Sequence, residues 1–344
     1  MFRRIGRVSS AEWVIGRMGG MDADTAAVAA RFARFARDEA PGRSALYAEW
    51  AEGVAADAEV QRVLGEIPAT RRQPPLVFAV TRLLGVGDVP YPRWRQWLLT
   101  NAEAVAAECA RRSLQTNEPL RCAALLPALS RIPGPIALVE VGASAGLCLY
   151  PDRYSYRYRS ETRTVTLDPA DGPATVVLDC DVRGDRMPGV ALPQIVWRAG
   201  IDLAPLDPRA ADTQAWLTGL VWPGERGREE RVRRALGIAA SDPPLLFPGD
   251  GAARVAEVAA AAPEGTTVVV QTPGVLAHVP WAGRQALIDA ARAAGRWITL
   301  DAPALHDGWS APIDEATWPG GFALALDGDV LAAVDPLGGW IRCR

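Results

Sequence analysis

A glycine turn directly after an apolar run has the residue types for ligand chemistry. The run 136–141 carries Glu140 near its end, and Gly142, Ser144 and Gly146 follow at alternate positions. Glycine lets a backbone approach a ligand closely, and the start of a following helix offers free N–H groups. The spacing therefore predicts a strand, a glycine turn and a helix that together cradle a nucleotide-like cofactor. The G-x-G-x-x-G fingerprint of nicotinamide and flavin sites fits poorly.

The order of these residues resembles the first motif of S-adenosylmethionine-dependent methyltransferases, E-x-G-x-G-x-G. In this interpretation Glu140, Gly142, Ser144 and Gly146 hold the cofactor S-adenosylmethionine. Ser144 stands where the motif has its central glycine. It leaves less room where the amino-acid part of the cofactor would lie.

The same letters also fit G-x-S-x-G, the turn that presents the nucleophile of α/β-hydrolases. Ser144 would then be the nucleophile, with Asp250 or Asp301 and with His278 or His306 as its partners. Against this alternative, about 130 residues of helical pattern precede the turn, and no HGGG-like oxyanion segment is present. A glycine turn that binds nothing is the remaining interpretation.

Acidic and polar residues follow the later strand candidates, where ligands bind in open α/β sheets. Asp202 is the first choice for an acid that binds the ribose, and Asp168 is the second. Asp250, in a Gly-Asp-Gly segment, is predicted to lie near the adenine, and Thr272 is predicted to contact the cofactor. His278, just beyond, is the first candidate for a general base.

A dense polar cluster precedes the helical segment EPLRCAALLPAL. It contains Gln115, Thr116, Asn117, Glu118 and Arg121. Capping of the helix accounts for one or two of these residues but not for all five. We therefore expect the cluster to lie over the glycine turn, with Gln115, Asn117 and Arg121 binding substrate and Glu118 as a weaker candidate for the base.

A second cluster follows the turn and contains Asp152, Arg153, Tyr154, Tyr156 and Tyr158. The tyrosines alternate, so an extended segment would put all three rings on one face. Asp152, Arg153 and Tyr154 are candidates for substrate binding. Alternatively, the rings cover the sheet and the arginines point outward.

The pattern of the whole chain changes at Pro133-Gly134-Pro135. Residues 1–130 carry helical periodicity, with Val28, Phe32 and Phe35 on one face. Residues 131–344 alternate strands and helices. The predicted strands are IALVEVG, IVWRAGIDL, PPLLFPGD, TTVVVQT and RWITLDAP.

The end of the chain, GFALALDGDVLAAV, predicts an antiparallel hairpin with an Asp-Gly turn. Two segments, near 153–194 and 208–243, are interpreted as insertions into the alternating pattern. The expected fold is α/β, a Rossmann-like sheet of the class I methyltransferase type with a C-terminal hairpin, preceded by an all-helical N-terminal domain.

Composition excludes several classes of protein. The chain has 344 residues and no lysine, so neither a Schiff-base lysine nor a Walker phosphate loop is available. The net charge is -3 and no basic stripe favours nucleic acid. The sequence shows no signal peptide or long apolar span, so a cytoplasmic protein is expected. No metal site is predicted, because the five cysteines are scattered: Cys109, Cys122, Cys148, Cys180 and Cys343.

Five segments together resemble the DUF2332 family, a bacterial family of unassigned function that is common in actinobacteria. They are RRQPPLVFAV, SLQTNEPLRCAALLPAL, VEVGASAGLCLYPDRYSYRY, RAGIDLAPLD and DPLGGWIRCR. The resemblance spans nearly the full length. It implies a helical region attached to a methyltransferase-like domain, and it carries no activity. The family usually has GLNL after the glycines, and Cys148 replaces that asparagine here.

These observations together predict transfer of a methyl group from S-adenosylmethionine to a small molecule. A serine hydrolase that uses Ser144 is the second hypothesis. A member of the fold that binds a ligand without catalysis is the third. The sequence gives neither the acceptor nor the oligomeric state.

Overall fold

The computed structural model describes residues 10–115, 117–314 and 316–344, with side chains from residue 23 onward. Thr116 of the predicted polar cluster lies outside these residues. The chain forms two compact units. Unit 1 contains the residues up to Gln115 together with 215–229, and unit 2 contains 117–214 and the residues from Glu230 onward.

Unit 1 is built from helices, as the periodicity predicts. Helix α1 begins at Ser10 and carries Val28, Phe32 and Phe35. The helices whose whole length lies in unit 1 are α1 (Ser10–Asp38), α2 (Ala45–Ala56), α3 (Ala58–Gly65), α4 (Pro74–Leu83), α5 (Tyr91–Thr100) and α6 (Ala102–Arg111).

The core of unit 1 is aromatic. Phe78 on α4 lies at the centre of a group of buried rings, with its centroid 4.9 Å from that of Tyr47 and 5.6 Å from that of Trp94. Phe32 and Phe35 also pack on Phe78, and both are fully buried, as predicted for their shared helix face. Pairs of this kind stabilise a core beyond the area that they bury.

Unit 2 contains the sheet and four helices with all or most of their length in it. The helices are α7 (Arg121–Leu129), α9 (Arg228–Ser241), α10 (Gly251–Ala260) and α11 (Trp281–Ala294), and α8 (Ala211–Gly219) crosses the boundary between the units. The strands are β1 (Pro135–Val141), β2 (Ser155–Arg159), β3 (Thr164–Leu167), β4 (Val177–Val182), β5 (Gln194–Asp202), β6 (Leu245–Pro248), β7 (Thr267–Pro273), β8 (Arg296–Asp301), β9 (Phe322–Leu326), β10 (Asp329–Val334) and β11 (Trp340–Cys343).

All eleven of these strands belong to one mixed sheet, in the order β3-β2-β4-β11-β10-β9-β8-β7-β1-β5-β6. The five strands β6, β5, β1, β7 and β8 are parallel. Strand β9 runs antiparallel to β8 and forms the predicted hairpin with β10. Its turn residues Asp327 and Gly328 have φ of 54° and 96°, as a tight hairpin turn requires. The α/β class and the hairpin are therefore confirmed.

Burial explains the continuous apolar pattern of the central strands. Val139 and Val141 on β1 pack on one face against Val255 of α10 and Leu287 of α11. On the other face, α7 packs against β4, β8, β9 and β10. A strand covered on both faces is apolar throughout. Glu140 is the exception within β1.

The structure differs from the predicted strand, turn and helix order after the glycine turn. Only a three-residue 3₁₀ turn, Leu147–Leu149, follows Gly146. Every residue from Leu147 to Tyr150 is buried, and Pro151 comes next. Proline disfavours the helical conformation at the residue before it, so Pro151 opposes continuation of the turn as a helix. The predicted helix N-terminus at this turn is wrong.

The segment near 153–194 is also part of the sheet. It supplies β2, β3 and β4, and β4 pairs with β11 through Asp181 and Val182. The segment therefore extends the sheet at one edge. The second predicted insertion, near 208–243, contains the helices α8 and α9 as expected.

Candidate functional site

The glycine turn lies at the carboxyl end of β1 and has a left-handed backbone. Gly142, Ser144 and Gly146 have φ of 76°, 52° and 76°. Glycine adopts such angles readily, whereas for serine they are costly and must be stabilised by contacts. The amide N–H of Gly142 donates to the carbonyl of Ile201 on β5 at 2.8 Å, which ties the turn to the neighbouring strand.

Asp202, the last residue of β5, supplies the contact that stabilises Ser144. One carboxylate oxygen accepts from the amide N–H of Ser144 at 2.8 Å, and the other accepts from Ala204 N–H at 2.9 Å. The structure therefore brings the first-choice acid directly onto the turn. Asp168, the second choice, lies after β3 at the sheet edge and pairs with Arg157 at 2.9 Å.

The end of β6 meets the same edge. Gly249 N–H donates to the carbonyl of Asp202 at 2.9 Å. Asp250 is exposed and caps α10, since its carboxylate accepts from Ala253 N–H at 3.1 Å. Leu203 is 80% exposed and follows Asp202. Two acids and an apolar side chain therefore lie at the ends of β5 and β6, beside the turn.

Two side chains limit the space at the glycines. A Cβ on Gly142 would lie 2.8 Å from Cγ2 of Val275, and one on Gly146 would lie 2.9 Å from Cγ of Pro244. Gly142 itself is exposed. Val275, which is half-buried, therefore packs against one side of Gly142.

Glu140 lies on β1, two residues before Gly142, and is 4% exposed. Its Oε2 atom is buried with no hydrogen-bond partner in the described chain. Burial raises the pKa of its carboxyl well above the usual range. The Cys148 thiol and Asp202 also raise this pKa, while Arg121 and Gln271 lower it. A buried carboxyl with an unpartnered oxygen can bind a polar or charged group.

Gln271 is the residue that pairs with Glu140 across β1 and β7. Its Nε2 donates to the Cys148 carbonyl at 3.1 Å, and its Oε1 has no partner within the described residues. Thr272 is fully buried, and its hydroxyl contacts the Trp297 indole at 3.0 Å and the Ile298 carbonyl. The Thr272 hydroxyl is therefore engaged within the sheet, and the strand register brings Gln271 beside Glu140.

The polar segment before α7 does reach the residues after the glycine turn. Asn117 accepts from Leu147 N–H at 3.3 Å through Oδ1, and its Nδ2 is buried without a partner in the described part of the chain. Glu118 is fully buried and accepts from the Arg231 guanidinium at 2.9 Å. The same oxygen also accepts from Leu120 N–H at 2.9 Å, so Oε1 of this predicted base is engaged within the protein. Gln115 belongs to unit 1.

Arg121, the first residue of α7, is half-buried and bonded to backbone carbonyls. Its Nε donates to Pro336 O at 2.9 Å, and its Nη1 donates to Pro273 O at 3.0 Å. Its Nη2 lies 3.0 Å from the point that a Cβ on Gly274 would occupy. These contacts fix the guanidinium beside the end of β7.

The second predicted cluster is mainly structural. Asp152 forms a two-pronged ion pair with Arg198, at 2.9 and 3.1 Å. Arg153 is more than half exposed and lies 3.4 Å from Asp242. Tyr154 is fully buried, and its hydroxyl donates to Leu147 O at 2.7 Å. The ring of Tyr154 therefore offers no face to a substrate.

The alternation of the tyrosines has a structural outcome. Tyr156 and Tyr158 are also fully buried, with ring planes 5° apart. Arg159, the last residue of β2, is exposed and pairs with Asp179 of β4. The tyrosines cover the sheet, which is the second of the two alternatives stated above.

The two histidines lie in different surroundings, one exposed and one buried. His278 is exposed in a short 3₁₀ turn after β7. His306 is buried against Trp297 and Trp309, and its Nδ1 accepts from Gly308 N–H at 3.0 Å. Burial lowers the pKa of His306 to about 4. The described contacts of both rings do not include Ser144.

Asp301, the last residue of β8, is a buried acid that the sequence suggested only as a hydrolase partner. Its Oδ2 accepts from the Thr299 hydroxyl at 3.0 Å, and its Oδ1 has no partner in the described chain. Burial raises its pKa to about 8, while Thr299 and Arg121 lower it. Asp301 ends a parallel strand, and this position could have indicated from the sequence that it lies at the edge where ligands bind.

None of the described helices combines the length and the apolar character needed to cross a bilayer. No group of three or more histidine, cysteine, aspartate or glutamate side chains in the described chain could hold a metal ion.

The fold and the site define an α/β protein with buried and partly exposed acids around a glycine turn at the carboxyl edge of its parallel strands. The chain belongs to the DUF2332 family, described as an uncharacterized protein conserved in bacteria, and the family model matches residues 29–342. No curated protein and no solved structure matches the chain.

Proposed function

We propose that the protein binds S-adenosylmethionine at the glycine turn and transfers its methyl group to a small molecule. The contact between Asp202 and the Ser144 amide carries the proposal, because it joins the acid at the end of β5 to the turn after β1. Such an acid binds ribose hydroxyls in dinucleotide-binding sheets. A carboxylate has lone pairs left after accepting two N–H groups.

The strand order supports a nucleotide-binding sheet. In chain order, the parallel strands β6, β5, β1, β7 and β8 are the third, second, first, fourth and fifth of their set. This is the order 3-2-1-4-5 of a Rossmann sheet, whose ligands bind outside the carboxyl ends of the strands near β1. The hairpin follows as β9 and then β10 outward from β8.

The residues at this edge suit the parts of the cofactor. Asp202 would bind the ribose, Asp250 the adenine amino group, and the exposed side chain of Leu203 would cover the base. Glu140 has an unused buried oxygen on the side of the amino-acid part. When bound, S-adenosylmethionine supplies an electrophilic methyl group on its sulfonium. The protein would align the acceptor and exclude water.

His278 is the remaining candidate for a base, because it is exposed just after β7, at the edge where the acceptor would approach. A movement of Val275 away from Gly142 would widen the approach for the cofactor. Gly274, with φ of 72°, precedes Val275 and has the backbone freedom for that movement.

Titration calorimetry with S-adenosylmethionine and S-adenosylhomocysteine tests the proposal. The wild-type protein should bind both, and Asp202→Ala should weaken binding about 10- to 100-fold through loss of charge-assisted bonds. Asp185→Asn, an exposed aspartate without a described contact, is the matched control. Failure of the wild type to bind either compound would refute the proposal. Binding without methyl transfer would favour the ligand-binding hypothesis.

The left-handed backbone of Ser144 favours the hydrolase as a second candidate, because the nucleophile of that class lies on a strained turn. Labelling with a fluorophosphonate probe separates the two functions. A hydrolase would be labelled in the wild type and not in Ser144→Ala. For the methyltransferase we expect no labelling and nearly unchanged cofactor binding by Ser144→Ala.

A further inference from the structure

Arg121 is a half-buried cation that has no carboxylate within ion-pair distance among the described residues. Both of its described hydrogen bonds go to carbonyl oxygens, those of Pro336 and Pro273. Other half-buried arginines of unit 2, such as Arg198 and Arg157, pair with aspartates at 2.9 Å. A cation in low-dielectric surroundings is costly unless an anion balances it. An anionic ligand would supply that balance.

The guanidinium lies next to the glycine turn. Its Nη2 packs on Gly274, with 3.0 Å to the position of a Cβ there. The next residue, Val275, is the one that covers Gly142. An anion that enters beside Gly274 would meet this Nη2 group. No hydrogen bond of Nη2 to a described residue would need to break.

Glu140, on the same side of the sheet, offers a buried carboxyl oxygen where Arg121 offers N–H groups. Arg121 lowers the pKa of Glu140 electrostatically, so the two groups lie near a common region. The Oε2 atom of Glu140 is an unused acceptor that is more than nine-tenths buried. The adjacent Oε1 of Gln271 is likewise unused within the described chain. Two oxygen atoms without donors favour a ligand group with several N–H bonds, such as an ammonium.

We infer that Arg121 and Glu140 form a subsite for an α-amino-acid group, in which Arg121 binds the carboxylate and Glu140 binds the ammonium. A guanidinium offers parallel N–H bonds that match a carboxylate. The inference rests on the proposed function in that the amino-acid group is then the methionine part of the cofactor. It assigns Arg121 to the cofactor instead of the acceptor.

Binding at this subsite moves a proton. Burial raises the pKa of the free Glu140 carboxyl, and the ligand ammonium lowers it, so we expect binding to release a proton to the buffer. The groups that face Glu140 are Cys148, Arg121, Gln271 and Asp202. Affinity should therefore rise as pH increases from neutral, until Glu140 is ionised in the free protein as well.

Calorimetry with three probes tests the inference without an assay of activity. S-adenosylhomocysteine carries the amino-acid group, 5′-methylthioadenosine lacks it, and free methionine carries little else. The wild type should prefer S-adenosylhomocysteine to methylthioadenosine by about 10- to 100-fold. Titrations in two buffers of different ionisation enthalpy should detect release of about one proton for the first ligand only.

Substitutions at the two residues should remove this preference. Arg121→Ala and Glu140→Gln should each lower the affinity for S-adenosylhomocysteine to that for methylthioadenosine, and Glu140→Gln should release no proton. Arg121→Lys, which keeps the charge and loses the paired N–H groups, serves if Arg121→Ala does not fold. Arg163→Gln and Glu264→Gln, both exposed and without a described side-chain contact, are the matched controls.

The outcomes separate this inference from the proposed function. Equal affinity for the two nucleosides, unchanged in Arg121→Ala, would overturn the subsite and leave the proposed function standing. Binding of methionine that depends on Arg121, with no binding of either nucleoside, would support the subsite and refute the proposed function. Absence of binding by all three probes would refute both.

Discussion

Single buried acids at the carboxyl edge of the sheet make the stability of this protein depend on pH. Asp301 is such an acid, because burial raises its pKa to about 8. An unfolded aspartate has a pKa of about 3.9, so between these values the folded protein holds a proton that the unfolded chain releases. The stabilising effect of that proton is present below the unfolded pKa and is lost as pH rises through about 8.

We therefore expect Asp301→Asn to flatten the decline of the free energy of unfolding between about pH 5 and about pH 8.5. At the upper pH the variant should be more stable than the wild type by about 1–3 kcal/mol. Glu140, whose pKa is also raised by burial, keeps part of the slope. Urea unfolding at both pH values measures the effect, with the exposed Asp171→Asn as the control. Parallel profiles for wild type and Asp301→Asn would contradict the prediction.

The element that decides access to the glycine turn is the short segment after β7. Val275 covers Gly142 at a distance that leaves no room for a Cβ. Gly142→Ala therefore carries a steric term in addition to the strain of its φ of 76°. Gly172 has a positive φ of 103° and nothing within 4 Å of a Cβ, so Gly172→Ala measures the backbone term alone.

We expect Gly142→Ala to lower the free energy of unfolding by about 2–3 kcal/mol and Gly172→Ala by about 1 kcal/mol. Val275→Ala should relieve the steric part, so the double substitution should be less destabilising than the sum of the two by about 0.5–2 kcal/mol. Denaturant unfolding of the four proteins of the cycle provides the measurement. Strictly additive effects would mean that Val275 does not cover Gly142.

Local pattern predicted the elements whose signals are local. The β-branched run of β7 and the Asp327-Gly328 turn both formed as expected, because propensity and burial act in the same direction there. The helix after Gly146 did not form, since the four residues that follow are all needed in the core. Pairing of β4 with β11 joins residues far apart in the chain, and no local pattern contains that information.

The candidate site also contains residues that the local sequence indicates and residues that only strand register or packing indicates. Asp202 was predictable because it ends an apolar strand, and the structure brings it to Ser144. Gln271 and Thr272 are neighbours in the sequence and point to opposite faces of β7, and only the register with β1 shows that Gln271 lies beside Glu140. Val275 carries no chemical signal in the sequence. Its importance follows from packing alone.

At the scale of the whole molecule, the chain returns to its first unit after leaving it. Residues 215–229 lie beyond five strands of the sheet in the sequence but pack in unit 1. Trp222 contacts the rings of Phe35 and Tyr47, and the Arg43 guanidinium lies 3.7 Å from the centroid of its ring. Glu225 then pairs with Arg43 at 2.7 Å. The integrity of unit 1 therefore depends on this late segment.

We expect Trp222→Ala to destabilise unit 1 by about 2–4 kcal/mol, because it removes a large ring from an aromatic cluster. Hydrogen exchange followed by mass spectrometry should show faster exchange in α2 and α4, which carry Tyr47 and Phe78, while β1 and β7 keep their protection. Trp281→Ala, at a tryptophan of unit 2 that is 62% exposed, is the control and should change neither region. Faster exchange in β1 and β7 with α2 and α4 unchanged would assign residues 215–229 to the sheet unit instead.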